Sequence, residues 1–194
     1  MENYEFRKAM HLVFFFGFLT AFILIVIPIY LAGIGLTGYQ IGLLVAVYAI
    51  TSIFVSFPTG LVNDGWTVRN TMILGIFLFS VFLIGTGFFT DFILLIPLFI
   101  IGGLGTNLAA VSLRTIIYKI KMKGEGRKFG TYRFVDVMGS AVGVLLVGVL
   151  ISILDFSLGL KIIGLLYLLL IPLVSFKTHK AHKIELVDYE KDIV

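Results

Sequence analysis

The sequence contains no cysteine. Disulfide bonds, thiolate nucleophiles and cysteine-based metal sites are therefore excluded. Charged residues are also scarce, at 13% of 194 residues, whereas soluble domains average about 25%. The chain thus lacks the polar surface that a soluble domain of this size would need.

Signatures of catalysis are missing as well. The sequence has no phosphate-binding glycine loop, no paired catalytic carboxylates and no nucleophile–histidine arrangement. His179 and His182 are spaced like metal ligands on a helix, but no further set of ligands with metal-site spacing lies near them in the sequence, and His11 stands alone. We predict that the protein is not an enzyme, holds no metal or cofactor, and does not bind nucleic acid.

Long apolar runs take up most of the chain. Hydrophobic residues make up 59% of it, the mean hydropathy is +1.10, and a helix that crosses a bilayer needs about 20 apolar residues. The pattern predicts an all-α membrane protein, with a transmembrane bundle over 1–176 and a polar cytoplasmic tail over 177–194. The stretch 31–40, with three glycines, is the first predicted turn. The six predicted spans are 10–32, 40–61, 71–90, 92–115, 131–153 and 156–176.

The basic residues indicate the orientation. Six spans put both termini on one side, together with the loops 60–71 and 114–133, and 14 of the 15 Lys and Arg residues fall on that side. Lys161 alone lies opposite. Because cytoplasmic segments carry the excess of positive charge, we predict cytoplasmic termini in a multi-pass protein of the plasma membrane.

A polar interruption, "PTGLVNDGWTVRN" at 58–70, separates the second and third spans. Its spacing resembles the loop motif of the major facilitator superfamily, G-x-L-x-D-R-x-G-R-R. Gly60, Asp64 and Arg69 fall on the pattern. Three positions depart from it: Gly65, Thr67 and Val68.

Flanking stretches extend the resemblance over nearly the whole chain. Residues 37–60 are similar to the second span of that family, and Arg127, Gly130 and Arg133 match a run that is typical before its fifth span. The resemblance implies one half of a carrier, built as two inverted three-helix repeats. We see no clear sequence echo between spans 1–3 and spans 4–6.

The resemblance also implies a gate. In this family the motif carboxylate, here Asp64, meets a helix N-terminus of the other half, where the helix dipole stabilises it. Arg69 and Arg114 are its expected cationic partners, and Gly60 would permit a close backbone approach. The alternative is a plain polar turn with a positive-inside arginine.

Polar residues at membrane depth are costly and tend to line cavities. Asn107 is the strongest candidate, because an amide in hydrocarbon needs hydrogen-bond partners. The resemblance implies that the first, second, fourth and fifth spans border the substrate cavity. Each candidate could instead form a hydrogen bond between helices. The candidates are Thr20, Tyr48, Thr51, Ser52, Thr106, Asn107 and Ser140.

Two further features lie in the fifth span. Asp136 stands three residues after Arg133, which indicates a structural ion pair, with proton coupling as the alternative and Arg114 as a second cation within reach. Gly139 and Gly143 form a G-x-x-x-G pair, which we interpret as close packing within the chain.

These observations predict a secondary transporter of a small solute that works by alternating access. One six-span half cannot enclose a site between two halves, so we expect a homodimer of two copies in the lipid bilayer. A separately encoded second half, a truncated product, or an accessory or scaffold subunit without transport remain alternatives. The sequence does not indicate which solute is carried.

Overall fold

The structure is a computed structural model that describes residues 2–65, 68–120, 125–153 and 155–175. Within these ranges it is helical except for short turns, with no strand. The predicted tail at 177–194, with His179 and His182, lies outside the described residues. The helices are α1 Glu2–Gly33, α2 Gly38–Gly65, α3 Val68–Phe88, α4 Phe92–Lys119, α5 Glu125–Ile153, α6 Phe156–Leu168 and α7 Leu170–Ser175.

The predicted all-α membrane fold is confirmed in its coarse form. Helices α1 to α5 are each long and apolar enough to cross a membrane, and a shorter apolar helical segment covers Phe156–Pro172. Helices α1, α4 and α5 extend well beyond their predicted spans on the same side, since α1 begins at Glu2, α4 runs to Lys119 and α5 begins at Glu125. Hydropathy misses such extensions because Lys, Arg and Glu favour helix while ending an apolar run.

The sixth predicted span, 156–176, is wrong as a single helix. It consists of α6 and α7, which Leu169 separates. The cause is Pro172, since a proline removes one backbone donor and its ring clashes with the carbonyl four residues earlier, here that of Leu168. The Leu169 N–H accordingly bonds the Leu166 carbonyl at 3.1 Å, a tighter turn than the α-helix.

The predicted first turn, 31–40, is confirmed, and residues within the turn stabilise it. Gly35 adopts a φ of 89°, which a residue without Cβ reaches at little cost. Thr37 and Gln40 then cap α2 reciprocally: the Thr37 N–H donates to Gln40 Oε1 at 2.9 Å, and the Gln40 N–H donates to Thr37 Oγ1 at 3.4 Å.

Helix α3 is the most buried of the five long helices and packs on α4 and α6. Gly75 and Gly105 bring the backbones of α3 and α4 together, since a Cβ on Gly105 would stand 2.5 Å from the Phe79 nitrogen. Aromatic rings fill the space beside them: Phe79 meets Tyr167 of α6 with ring centroids 4.8 Å apart. In the other extensive contacts, α1 pairs with α5 and α2 pairs with α4.

Candidate functional site

The candidate site is a cleft between two helix pairs, α1–α5 and α2–α4. Helix α1 makes only slight contact with α2 and α4. Helices α2 and α5 do not touch each other in the part of the chain that the structure describes. A cavity of about 90 Å³ opens between the pairs. It is lined by Thr20, Ile27, Pro28, Val45, Tyr48, Phe82 and Phe99.

At the α2–α4 crossing, four of the predicted cavity residues come together. The Tyr48 hydroxyl and Thr106 Oγ1 are 2.7 Å apart. Thr106 donates its own proton to the Gly102 carbonyl at 2.8 Å, so Tyr48 is the donor in this pair. The Asn107 amide nitrogen donates to Ser52 Oγ at 3.3 Å. These side chains thus form hydrogen bonds between helices.

Asn107 is 8% exposed and has a second partner, Ser56 Oγ, at 2.7 Å. Its carbonyl oxygen Oδ1 is buried without a hydrogen-bond partner among the described residues. A free acceptor in a buried amide costs free energy, so Asn107 retains the capacity to accept one more hydrogen bond. Thr51 bonds back to the Val47 carbonyl at 2.8 Å and lies against Gly103.

At the α1–α5 crossing, backbone meets backbone. A Cβ added at Gly17 would come within 2.6 Å of the Asp136 carbonyl oxygen and 3.0 Å of Asp136 Oδ1. The Ser140 hydroxyl donates to the Gly17 carbonyl at 3.3 Å. Gly139 and Gly143 face the α1 backbone so closely that an added Cβ would overlap its carbonyl oxygens. The G-x-x-x-G pair therefore packs within the chain, and that interpretation is confirmed.

The predicted ion pair lies beside this crossing. Arg133 Nη1 donates to Asp136 Oδ2 at 2.9 Å, and the side chains are 72% and 21% exposed, respectively. Arg114 is exposed and forms no ion pair in the described part of the chain. Arg133 is thus the one cation that meets Asp136 among the described side chains.

The motif loop is described only in part. Asp64 is the penultimate residue of α2, and the description does not extend to its side chain. Arg69 has a buried Nε without a hydrogen-bond partner among the described residues. An added Cβ on Gly60 meets no atom within 4 Å, so any close approach at Gly60 must come from outside the described part of this chain.

Three polar residues of the α2–α4 interface were not predicted from the sequence: Ser56, Asn63 and Ser112. Asn63 is 2% exposed and accepts a bond from the Ser112 hydroxyl at 3.1 Å. The signal was present, because polar residues recur along α2 every three or four positions, which places them on one face of a helix. They are Tyr48, Ser52, Ser56, Thr59 and Asn63.

Comparison with known families decides the assignment. The model of the Major Facilitator Superfamily matches residues 10–191, nearly the whole chain. The protein belongs to the major facilitator superfamily. No curated protein matches the sequence.

Membership in the major facilitator superfamily fixes the broad class. It is a family of membrane transporters and not of enzymes. The match is that of a single half-domain of the superfamily in a chain of 194 residues. The resemblance to this family over nearly the whole chain is therefore confirmed.

Proposed function

We propose that the protein carries a small solute across the plasma membrane by alternating access, as a two-fold dimer of six-helix halves. The observation that supports this most directly is the cleft between α1–α5 and α2–α4. Of the predicted cavity residues, Thr20 and Tyr48 line the cavity inside it, and Ser52, Thr106, Asn107 and Ser140 form hydrogen bonds at the two crossings that flank it.

The burial of the helices supports a second bundle. In the most apolar window of each helix, 6% of α2 and 11% of α5 is buried, against 56% of α3. The cavity of about 90 Å³ is smaller than the roughly 300–1,000 Å³ of typical ligand pockets. A site bounded on one side by this chain and on the other by a second bundle would reach that size.

Symmetry favours a second copy as that bundle. Helices α2 and α5 flank the cleft without touching. A two-fold axis along the membrane normal, centred on the cleft, would bring α2 of each copy opposite α5 of the other. Cytoplasmic termini, which the distribution of Lys and Arg favours, would keep both copies in the same orientation.

The pairing of the helices is also consistent with inverted repeats. Inverted repeats would relate α1 to α4 and α2 to α5, and so would relate the α1–α5 pair to the α4–α2 pair. Both pairs make extensive contacts. Alternating access requires two such six-helix halves to rock against each other about the site between them.

The motif loop is the proposed gate of this transporter. Arg69 has an unpartnered buried Nε at the start of α3, four residues after α2 ends. Asp64, Arg69 and Arg114 would hold the cytoplasmic side closed by contacts with the second half, and loss of these contacts would favour the inward-open state.

Two measurements on the purified chain test the dimer. Light scattering in mild detergent should give a protein mass of twice 21.5 kDa, and the protein alone in liposomes should take up solute. A strict monomer that fails to transport would contradict the proposal. A stable complex with a different membrane protein would instead indicate an accessory subunit or one half of a heterodimer.

The gate is tested by Asp64→Ala, with Asp155→Ala as the control, since the Asp155 side chain makes no capping hydrogen bond. We expect Asp64→Ala to lower uptake roughly tenfold, in the range of ordinary coupling energies, while membrane insertion is unchanged. Full uptake by Asp64→Ala would remove the gate and leave the dimer untouched.

A further inference from the structure

At the α2–α4 crossing, the contact residues of each helix lie at fixed intervals along the chain. On α4, Gly103 admits the α2 backbone, since its added Cβ would stand 2.5 Å from the Tyr48 carbonyl oxygen and 3.3 Å from the Ser52 nitrogen. Thr106 follows three residues later and bonds back to the Gly102 carbonyl at 2.8 Å. On α2, Tyr48 and Ser52 are four residues apart.

The α1–α5 crossing repeats this spacing. On α1, Gly17 admits the α5 backbone at the Asp136 carbonyl oxygen, at 2.6 Å from an added Cβ, with Ser140 Oγ at 3.3 Å. Thr20 follows three residues later and bonds back to the Phe16 carbonyl at 2.7 Å. On α5, Asp136 and Ser140 are four residues apart, as Tyr48 and Ser52 are on α2.

The two crossings thus share a Gly-x-x-Thr helix and a partner helix with a serine four residues after the contact point. They differ at the contact residue itself, which is Tyr48 at one crossing and Asp136 at the other. Tyr48 lines the cavity and reaches Thr106. The shorter Asp136 ends beside Gly17.

We propose that the carboxylate of Asp136 binds the cationic head of an apolar organic amine, at the position that Tyr48 holds in the other crossing. This assignment rests on the proposed transport function and names the class of solute. Asp136 is the one acidic side chain inside the apolar helical spans for which the structure describes a side chain.

The Asp136 carboxylate is held in place while its partner is loosely held. Asp136 is 21% exposed and lies against Gly17, whereas Arg133 is 72% exposed and donates one hydrogen bond from Nη1. Exposed ion pairs contribute little free energy. A ligand cation can therefore replace the Arg133 guanidinium, and the long arginine side chain can turn toward water.

The neighbouring cavity, which Asp136 itself does not line, presents apolar side chains to a body attached to that head. Thr20 lines the cavity and stands one turn along α1 from Gly17, a rise of about 4.5 Å. Beyond Thr20 the lining is apolar and partly aromatic, from Ile27, Phe82 and Phe99. A solute that lies along α1 would meet the carboxylate at its head and apolar side chains along its body.

Three probes of similar shape test the proposal on the purified full-length protein: 4-phenylbutylamine, 4-phenylbutanol and 4-phenylbutyrate. Affinity is measured from the rise of the unfolding temperature with probe concentration. Wild type should bind the amine about tenfold more tightly than the alcohol, as one charge-assisted hydrogen bond allows, and the acid most weakly.

Two variants separate a binding group from a structural ion pair. Asp136→Asn should lose the preference for the amine, while Arg133→Gln, which removes the competing cation, should bind the amine at least as tightly as wild type. A purely structural pair would make both variants lose the amine equally.

The proposal is overturned if wild type shows no preference for the amine, if Asp136→Asn keeps that preference, or if Arg133→Gln loses it. If Asp136→Asn does not fold, the preference for the amine in wild type and in Arg133→Gln still tests the proposal. If the amine proposal fails but the protein is a dimer that takes up other solutes, the proposed transport function is still supported. If the protein is a monomer without uptake, the transport function is refuted.

Discussion

The crossings α1–α5 and α2–α4 hold two helices together by different means. At α1–α5, Gly17, Gly139 and Gly143 let the backbones touch, and side-chain hydrogen bonding contributes little. At α2–α4, Gly103 is the glycine in contact with α2, and side-chain hydrogen bonds link the helices. Because lipid supplies no hydrophobic force between helices, close packing and polar contacts are the two available sources of association.

The difference between the crossings predicts that steric overlap introduced at α1–α5 lowers the free energy of unfolding most. Gly139→Leu places side-chain atoms on the Phe14 carbonyl, which the helices cannot accommodate without separating. We expect a loss of about 3 kcal/mol or more in unfolding free energy, measured by thermal or denaturant unfolding in detergent. Gly130→Leu on the same helix is the control, since its added Cβ meets nothing within 4 Å. Equal stability of the two variants would contradict the packing account.

A matched pair of smaller substitutions tests whether the two crossings are packed in an equivalent way. Gly17→Ala and Gly103→Ala each add one methyl group, at 2.6 Å and 2.5 Å from a carbonyl oxygen of the partner helix. Each should cost about 1–3 kcal/mol, with similar values in unfolding measurements. Gly126→Ala, in open space, should cost nothing. A large cost at one glycine and none at the other would mean that the crossings are not equivalent.

We expect the smallest loss of unfolding free energy where polar contacts are removed from the α2–α4 crossing. Asn107→Ala deletes the bonds to Ser52 and Ser56 but also removes the unpaired Oδ1. Hydrogen bonds between membrane helices average about 0.6 kcal/mol, so we expect a loss of about 1 kcal/mol. The exposed Asn70→Ala is the control. A loss as large as that of Gly139→Leu would show that polar contacts dominate this bundle.

The sequence predicted the helices better than their contacts. Apolar runs are set by the lipid, so α1 to α5 followed from hydropathy alone. Pro172 was visible, but Pro28, Pro58 and Pro97 lie inside continuous helices, so a proline in the sequence does not by itself predict a break. Spacing also placed the polar residues on the correct helices.

The pairing of polar residues across helices was beyond the sequence. That Asn107 meets Ser56, and that Asp136 lies against Gly17, depends on the rotation of each helix about its axis. The recurring polar residues mark one face of α2, but no local pattern shows which residues of another helix that face meets, and no sequence echo revealed that the two crossings share a spacing. The match lies in the contacts between residues that are far apart in the chain.

Cross-linking tests the two-fold closure of the cleft most directly, because a chain without cysteine gives no background. Phe57→Cys on α2 and Phe134→Cys on α5 are exposed and lie at similar depth, six residues before Asn63 and eight after Gly126. Co-expressed as separate copies, they should form a disulfide-linked dimer, while Phe77→Cys on the outer face of α3 should not react with Phe134→Cys. Equal cross-linking from α3, or none between α2 and α5, would contradict the account.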